Sequence, residues 1–205
     1  MDMAQKCNAI LRRIPTWPVY VLGLLPPLWY FYLGITGELG VEPIKELEHR
    51  VGLLALQALI AALIVTPLRK FTGLSLLKFR RAIGLIAFYY VTFHLLVWLL
   101  LDVGSLDAIW KDIVKRPFIT IGMVSFVLLL PLAVTSNNWS LKKLGAKSWK
   151  RLHWLAYPAT LLGGIHFVML VKGWQLESLT YTGIIVVLLA MRLKLPKRRI
   201  SEQST

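Results

Sequence analysis

Long apolar runs separated by short charged segments dominate this sequence. The runs reach the roughly 20 residues that a helix needs to cross the hydrocarbon core of a bilayer. They lack the alternation with a period of two that is typical of strands in membrane barrels. The pattern therefore predicts an all-α integral membrane bundle of six transmembrane helices, at about residues 17–35, 49–66, 82–101, 118–135, 152–171 and 178–193.

The basic residues lie mainly on one side of this six-helix arrangement. Both termini and the segments 67–81 and 136–151 hold 18 of the 24 Lys and Arg residues. The other side holds the remaining six, together with eight of the ten acidic residues. Because cytoplasmic segments carry the excess of Lys and Arg, we expect both termini to be cytoplasmic. The net charge of +14 is then explained by membrane-flanking clusters, and no nucleic-acid partner is predicted.

The composition fits a protein that has lipid as its solvent. The 205 residues are 57% hydrophobic and 17% charged, and the mean hydropathy is +0.63. This is more apolar surface than one soluble core of this length would hide. No segment between the predicted helices is long enough for a nucleotide-binding domain, so we expect residues 1–205 to form a single transmembrane domain. The single cysteine, Cys7, excludes a thiolate cluster for iron–sulfur or structural zinc.

Two of the four histidines fall deep within predicted helices. At a rise of about 1.5 Å per residue, His94 lies about 4 Å and His166 about 7 Å from the centre of its helix, toward the same side. Ionisable side chains in lipid are costly without a partner, so matching depths call for a shared explanation. A haem iron between the two imidazoles is one explanation. Interhelical hydrogen bonding is another, and a proton or metal relay in a small transporter is a third.

Further candidate residues lie near these histidines or near the cytoplasmic boundary. Gly163 and Gly164 beside His166, and Gly84 on the third helix, would make room for a flat cofactor or simply for close helix packing. His153 is a candidate ligand of a second haem iron, a contact for a propionate, quinone or flavin, or an ordinary interfacial residue. His49 is predicted to be mainly interfacial, with a contact to a cofactor or partner as the alternative. The candidate cations for haem propionates or a flavin phosphate, which membrane topology alone would also explain, are Arg80, Arg81, Lys150 and Arg151.

Several motifs from the second to the fifth predicted helix carry a family resemblance. They are Gly52, TPLRK at 66–70, RRAIGL at 80–85 leading to FHL around His94, LAVTSN at 132–137, and WKRLHWLAY at 149–157 leading to His166. Together they resemble the ferric-reductase-like transmembrane superfamily, and within it the MsrQ family of haem-binding membrane subunits. Superfamily members with two stacked haems carry a second histidine on the third helix, where this chain has Arg80. This difference argues against a second haem of that kind.

The resemblance implies a membrane electron carrier. It implies a b-type haem ligated by His94 and His166, with His153 also at a functional position, and an FMN cofactor. Electrons would come from membrane quinol or a cytosolic flavin reductase. They would pass to a periplasmic molybdopterin subunit that reduces methionine sulfoxide in envelope proteins. The chain would then be an electron-transfer subunit in the bacterial inner membrane and not the catalytic subunit. A stand-alone cytochrome b of the ferric-reductase type remains the nearest alternative.

Overall fold

The computed structural model describes residues 3–171 and 175–192, and all regular structure in these ranges is helical. A π-helical segment, Trp98–Val103, continues α4, and a 3₁₀ turn, His153–Leu155, separates α7 from α8. The α-helices of the described part are α1 (Met3–Arg13), α2 (Trp17–Ile35), α3 (Pro43–Thr72), α4 (Arg80–Val97), α5 (Leu106–Lys115), α6 (Pro117–Val134), α7 (Asn138–Leu152), α8 (Ala156–Leu170) and α9 (Leu176–Ala190).

Four helical stretches in the described part are long and apolar enough to cross a membrane. They are Trp17–Ile35, Pro43–Thr72, Arg80–Val103 and Pro117–Val134. These stretches match the first four predicted spans, and the protein is an all-helical, multi-pass membrane protein. The last two helices, α8 and α9, have 15 residues each, fewer than the roughly 20 of a straight span. The count of six spans and the cytoplasmic termini stay predictions, and the predicted end of the sixth helix at 193 lies outside the described residues.

The fifth predicted span is not one regular helix. The sequence predicts a bend at Pro158, and the 3₁₀ turn His153–Leu155 ends three residues before this proline. Proline has no backbone N–H, and its ring crowds the carbonyl of the residue four positions earlier, here Trp154. The tighter turn removes this conflict before α8 begins. It also places His153 at a break between two helices and not within a continuous span.

Three short helices lie in segments that the sequence pattern assigned to termini and connections. These are α1, α5 and α7, and each combines apolar and charged positions. The first is attached to the turn after α3, because the Asn8 amide donates to the Gly73 carbonyl over 2.9 Å and accepts from the Ser75 N–H over 2.8 Å. Side-chain caps start the other two, from Ser105 in α5 and Asn137 in α7.

Two pairs of closely packed helices form the centre of the molecule. Helix α3 packs along α4, and α6 packs along α8, while α9 covers α8 and α3. Apolar side chains fill the contacts, including the fully buried Val51 of α3, Ala87 of α4 and Ala159 of α8. The buried Ser125 hydroxyl of α6 donates to the Ala159 carbonyl over 2.8 Å, joining α6 to α8. The deep histidines lie where these two pairs meet.

Candidate functional site

His94 of α4 and His166 of α8 face each other across the centre of the bundle. Their ring centroids are 6.3 Å apart, and the ring planes are inclined by 79°. Imidazole nitrogens lie about 2.0–2.1 Å from a metal such as zinc, so two rings on opposite sides of one metal ion have centroids about 6 Å apart. The separation of the two rings therefore matches that of a pair of axial ligands.

A backbone carbonyl fixes each of these rings. The Nδ1 of His94 lies 2.9 Å from the Glu48 carbonyl oxygen, and the Nδ1 of His166 lies 2.7 Å from the Phe118 carbonyl oxygen. A carbonyl oxygen only accepts hydrogen bonds, so each Nδ1 carries the hydrogen. Each neutral ring then keeps a lone pair on Nε2, as histidines that bind metals usually do.

Both rings also lie directly against a glycine. A Cβ atom at Gly52 of α3 would be 2.9 Å from Cε1 of His94, and one at Gly122 of α6 would be 2.8 Å from Nδ1 of His166. Any other residue at these two positions would push the ring away. The close approach of ring to backbone is what allows the two hydrogen bonds to the carbonyls of α3 and α6.

Two cavities adjoin the histidine pair. The larger one has a volume of about 330 Å³ and the smaller one about 80 Å³, and both His94 and His166 line both of them. Apolar side chains such as Val91, Phe126 and Leu170 form most of the wall near the rings. A volume of this size lies within the range of cofactor and ligand sites, which are mostly apolar with a few polar groups.

The mouth of the larger cavity is charged. Lys45, Glu48, Asp102 and Arg116 line it. Asp112 holds two of the neighbouring groups, since it accepts from Nε1 of the buried Trp98 over 3.2 Å and pairs with Nε of Arg116 over 3.0 Å. The π-helical segment after α4 carries Trp98, so this irregular turn shapes one side of the mouth. Such π-helical turns often occur at functional sites.

The histidine pair does not form a metal site by itself. Across residues 3–171 and 175–192, no group of three or more His, Cys, Asp or Glu side chains is placed to hold a metal ion. A metal ion held by these two imidazoles would therefore need a cofactor that brings the remaining ligands. A porphyrin does this, because it binds iron in its plane and leaves two axial positions for the protein. The pair, the apolar walls and the charged mouth fit a haem.

Comparisons with known proteins agree on one family. The family described as ferric reductase like transmembrane component matches residues 49–164. Proteins of Brucella anthropi, Brucella ovis and Brucella melitensis are each 52% identical to this chain over 184 residues, which cover 89% of this chain and 83% of each relative. Each bears the name protein-methionine-sulfoxide reductase heme-binding subunit MsrQ. The chain belongs to the MsrQ family. No solved structure matches it.

In this member of the MsrQ family, the other predicted site residues lie apart from the histidine pair. The ring of His153 stacks on Trp149 at a centroid distance of 3.6 Å. Its Nδ1 lies 3.0 Å from the Trp149 carbonyl, and its Nε2 lies 3.5 Å from the Ser136 hydroxyl. Neither cavity at the pair is lined by His153, and its role as a cofactor or iron ligand stays a prediction.

The three predicted arginines also lie away from these two cavities. Arg80 and Arg151 are exposed, and Arg81 donates from Nη1 to the Asn138 side-chain oxygen over 2.8 Å. They surround the cytoplasmic end of α4 and α7 in the predicted topology, whereas the larger cavity has its mouth near the starts of α3 and α6. Their binding of a propionate or a flavin phosphate stays a prediction.

His49 lies closer to the site of this MsrQ-family member than its mainly interfacial interpretation implied. His49 lines both cavities, with its ring centroid 5.8 Å from that of Phe167. Its position could have been inferred from helix periodicity, because His49, Gly52, Leu53, Leu56 and Leu59 lie on one helix face and all line the smaller cavity.

The two glycines that contact the histidine rings are not among the three that the sequence suggested as space for a flat cofactor. Gly52 and Gly122 contact the histidine rings, whereas a side chain at Gly84 would meet open space. Gly163 lines the smaller cavity, and Gly164 packs against Ile185 and Thr182 of α9. Closeness in sequence to His166 was therefore a poor guide, because glycines on the partner helix make the space.

Proposed function

We propose that this chain is a haem-binding membrane subunit that carries electrons on a b-type haem held between His94 and His166. The observation that carries this proposal is the pair of facing imidazoles, 6.3 Å apart, each with its Nδ1 bonded to a backbone carbonyl. The relatives' printed name, heme-binding subunit, supports the same assignment. When bound, the haem supplies a one-electron iron couple.

The residues around the pair have separate roles in this proposal. His94 and His166 would hold the haem iron between them. The apolar wall formed by Val91, Phe126 and Leu170 would exclude water from the haem, and such burial is one of the means by which a protein sets the potential of a haem. The carbonyls of Glu48 and Phe118 keep each ring oriented, because each accepts from one Nδ1–H and leaves the Nε2 of that ring for the iron.

Lys45 and Arg116 are the cations that we assign to the acidic groups of the haem. Both line the mouth of the cavity that contains the histidines. Lys45 lies in the first turn of α3, and Arg116 directly precedes α6. The positive ends of two helix dipoles therefore add to these side chains. Glu48 and Asp102 line the same mouth and oppose this attraction in part. The more distant Arg80, Arg81 and Arg151 are then left for an FMN phosphate.

The wider role that we propose follows the family. Electrons enter from quinol or a cytosolic flavin reductase and leave to a periplasmic molybdopterin subunit that reduces methionine sulfoxide. The chain is a single domain of six spans in the bacterial inner membrane, with both termini in the cytoplasm, and it binds FMN as well as haem. The excess of basic residues on one side of the bundle supports this orientation. The mouth near α3 and α6 would then face the periplasm.

A reduced minus oxidised visible spectrum of the purified protein tests the proposal. The wild-type chain should show b-type bands, and these bands should be lost in both His94→Ala and His166→Ala. His153→Ala is the matched control, and it should keep the bands of this site. A colourless wild-type protein, or bands that persist in both variants, would contradict the proposal and favour a transporter or a packing role for the histidines.

A further inference from the structure

The surroundings of His94 and His166 repeat the same arrangement on two different helices. On α3, the Glu48 carbonyl accepts from the His94 ring, and Gly52 lies four residues later against that ring. On α6, the Phe118 carbonyl accepts from the His166 ring, and Gly122 lies four residues later against that ring. The carbonyl and the glycine are thus separated by one helical turn in both cases.

Helix geometry gives a reason for this spacing. In an α-helix, the carbonyl of one residue accepts from the N–H four residues later. The side chain of that later residue leans back over the preceding turn, and it therefore covers the carbonyl from the side. Glycine has no Cβ, so a carbonyl four residues before a glycine remains open to a second donor. The Nδ1 groups of the two histidines are these second donors.

We propose that Gly52 and Gly122 are positioning residues for the two axial ligands of the haem. Each leaves open the carbonyl that holds the Nδ1–H of one histidine. The hydrogen bond sets the rotation of the ring and leaves its Nε2 as the nitrogen available to the iron. The inference rests on the proposed function, because it assigns the two histidines as iron ligands.

Other helical glycines of the described part do not contact these rings. A Cβ at Gly84 or Gly183 would meet nothing within 4 Å. A Cβ at Gly23 would be crowded, at 2.6 Å from Cδ1 of Ile86, but Ile86 is not a proposed ligand. Gly84→Ala therefore controls for the change from glycine to alanine without any new contact. Gly23→Ala controls for a new Cβ that crowds a side chain other than a proposed ligand.

The experiment compares Gly52→Ala and Gly122→Ala with Gly84→Ala and Gly23→Ala in the haem-loaded full chain. In the first two variants, the displaced ring should leave one axial position open. The six-coordinate low-spin spectrum should then be lost, carbon monoxide should bind the reduced protein, and added imidazole should restore the low-spin spectrum. Haem affinity should fall about 10- to 100-fold, as it does when outer partners of metal ligands are removed. Both controls should keep the wild-type spectrum and bind no carbon monoxide.

A second measurement applies if a glycine variant retains too little haem for spectroscopy. The thermal stability of the haem-free full chain in detergent should fall in Gly52→Ala. It should recover when His94→Ala is added, because the small side chain gives way to the new Cβ. His166→Ala should give no such recovery with Gly52→Ala, but it should with Gly122→Ala.

Two results would overturn the inference. The first is a wild-type low-spin spectrum in both glycine variants, which would mean that the rings tolerate a Cβ. The second is a stability loss that neither histidine substitution relieves, which would make the glycines ordinary helix-packing residues. Failure of the proposed function is distinguishable, because the wild-type protein itself would then lack haem bands.

Discussion

At the scale of single residues, the site depends on main-chain carbonyl groups, which a sequence pattern of side chains does not reveal. The matched depths of His94 and His166 follow from helix rise alone, and the structure does bring their rings together. The Glu48 and Phe118 carbonyls that orient these rings could not be predicted, because every residue has a carbonyl. The face of α3 occupied by His49 was predictable from periodicity, but a polar residue beside other charges was read as interfacial.

A prediction at this scale concerns the cations at the cavity mouth. Lys45→Ala and Arg116→Ala should each weaken haem binding by about 2- to 5-fold, a small change because both side chains are partly exposed to water. The dimethyl ester of haem, whose propionates carry no charge, should bind the wild type and the double variant equally. Absorbance titrations of the haem-free protein measure both affinities.

The control for this pair is Lys111→Ala, because Lys111 is exposed on α5 and does not line the cavity. Haem affinity should be unchanged in that variant. If Lys45→Ala and Arg116→Ala also bind haem like the wild type, while substitution of Arg80, Arg81 or Arg151 weakens binding, the acidic groups face the other side of the bundle.

At the scale of elements, apolar runs predicted the long helices well. The first predicted helix and α2 cover the same residues, and the fourth differs from α6 by one residue at each end. Helix α3 is much longer than predicted, at 30 residues. Its polar ends, which include Glu46 and Arg69, remain helical beyond the apolar core, and a hydropathy pattern excludes such ends. The same pattern passed over α1, α5 and α7, because their apolar positions are too few and too scattered.

The contact between α6 and α8 gives a prediction for an element. Ser125→Ala removes the hydroxyl that joins α6 to the Ala159 carbonyl of α8. The free energy of unfolding should fall by about 0.5–1 kcal/mol, the usual contribution of a hydrogen bond between membrane helices. Thr92→Val is the control, because the Thr92 hydroxyl donates within its own helix, to the Phe88 carbonyl. Thermal unfolding in detergent compares the two variants, and an equal loss in both would argue against a special role for Ser125.

At the scale of the whole molecule, the sequence predicts an orientation that the helices alone do not test. The charge asymmetry depends on the number of spans, since one span more or fewer would exchange the sides of all later segments. The described helices establish four long apolar stretches. Helices α8 and α9 have 15 residues each, and a bilayer can thin around helices that are shorter than its hydrocarbon core.

The single cysteine makes this topology measurable. Cys7 is exposed, and a membrane-impermeant maleimide should label it only after the inner membrane of spheroplasts is opened. In a Cys7→Ser background, Asp107→Cys on α5 should be labelled in intact spheroplasts, whereas Ser201→Cys should require opening. Labelling of Ser201→Cys in intact spheroplasts would mean an odd number of spans and would contradict the six-helix arrangement.

The use of main-chain acceptors for both rings has a consequence for how the site tolerates sequence change. One acceptor belongs to a glutamate and the other to a phenylalanine, so the chemical nature of those two side chains has no part in holding the imidazoles. A related protein could have another residue at either position and still orient both histidine rings through the same two carbonyls. Substitutions among the charged residues at the cavity mouth would then change the redox potential of the haem, while the two histidines and their hydrogen bonds stayed the same.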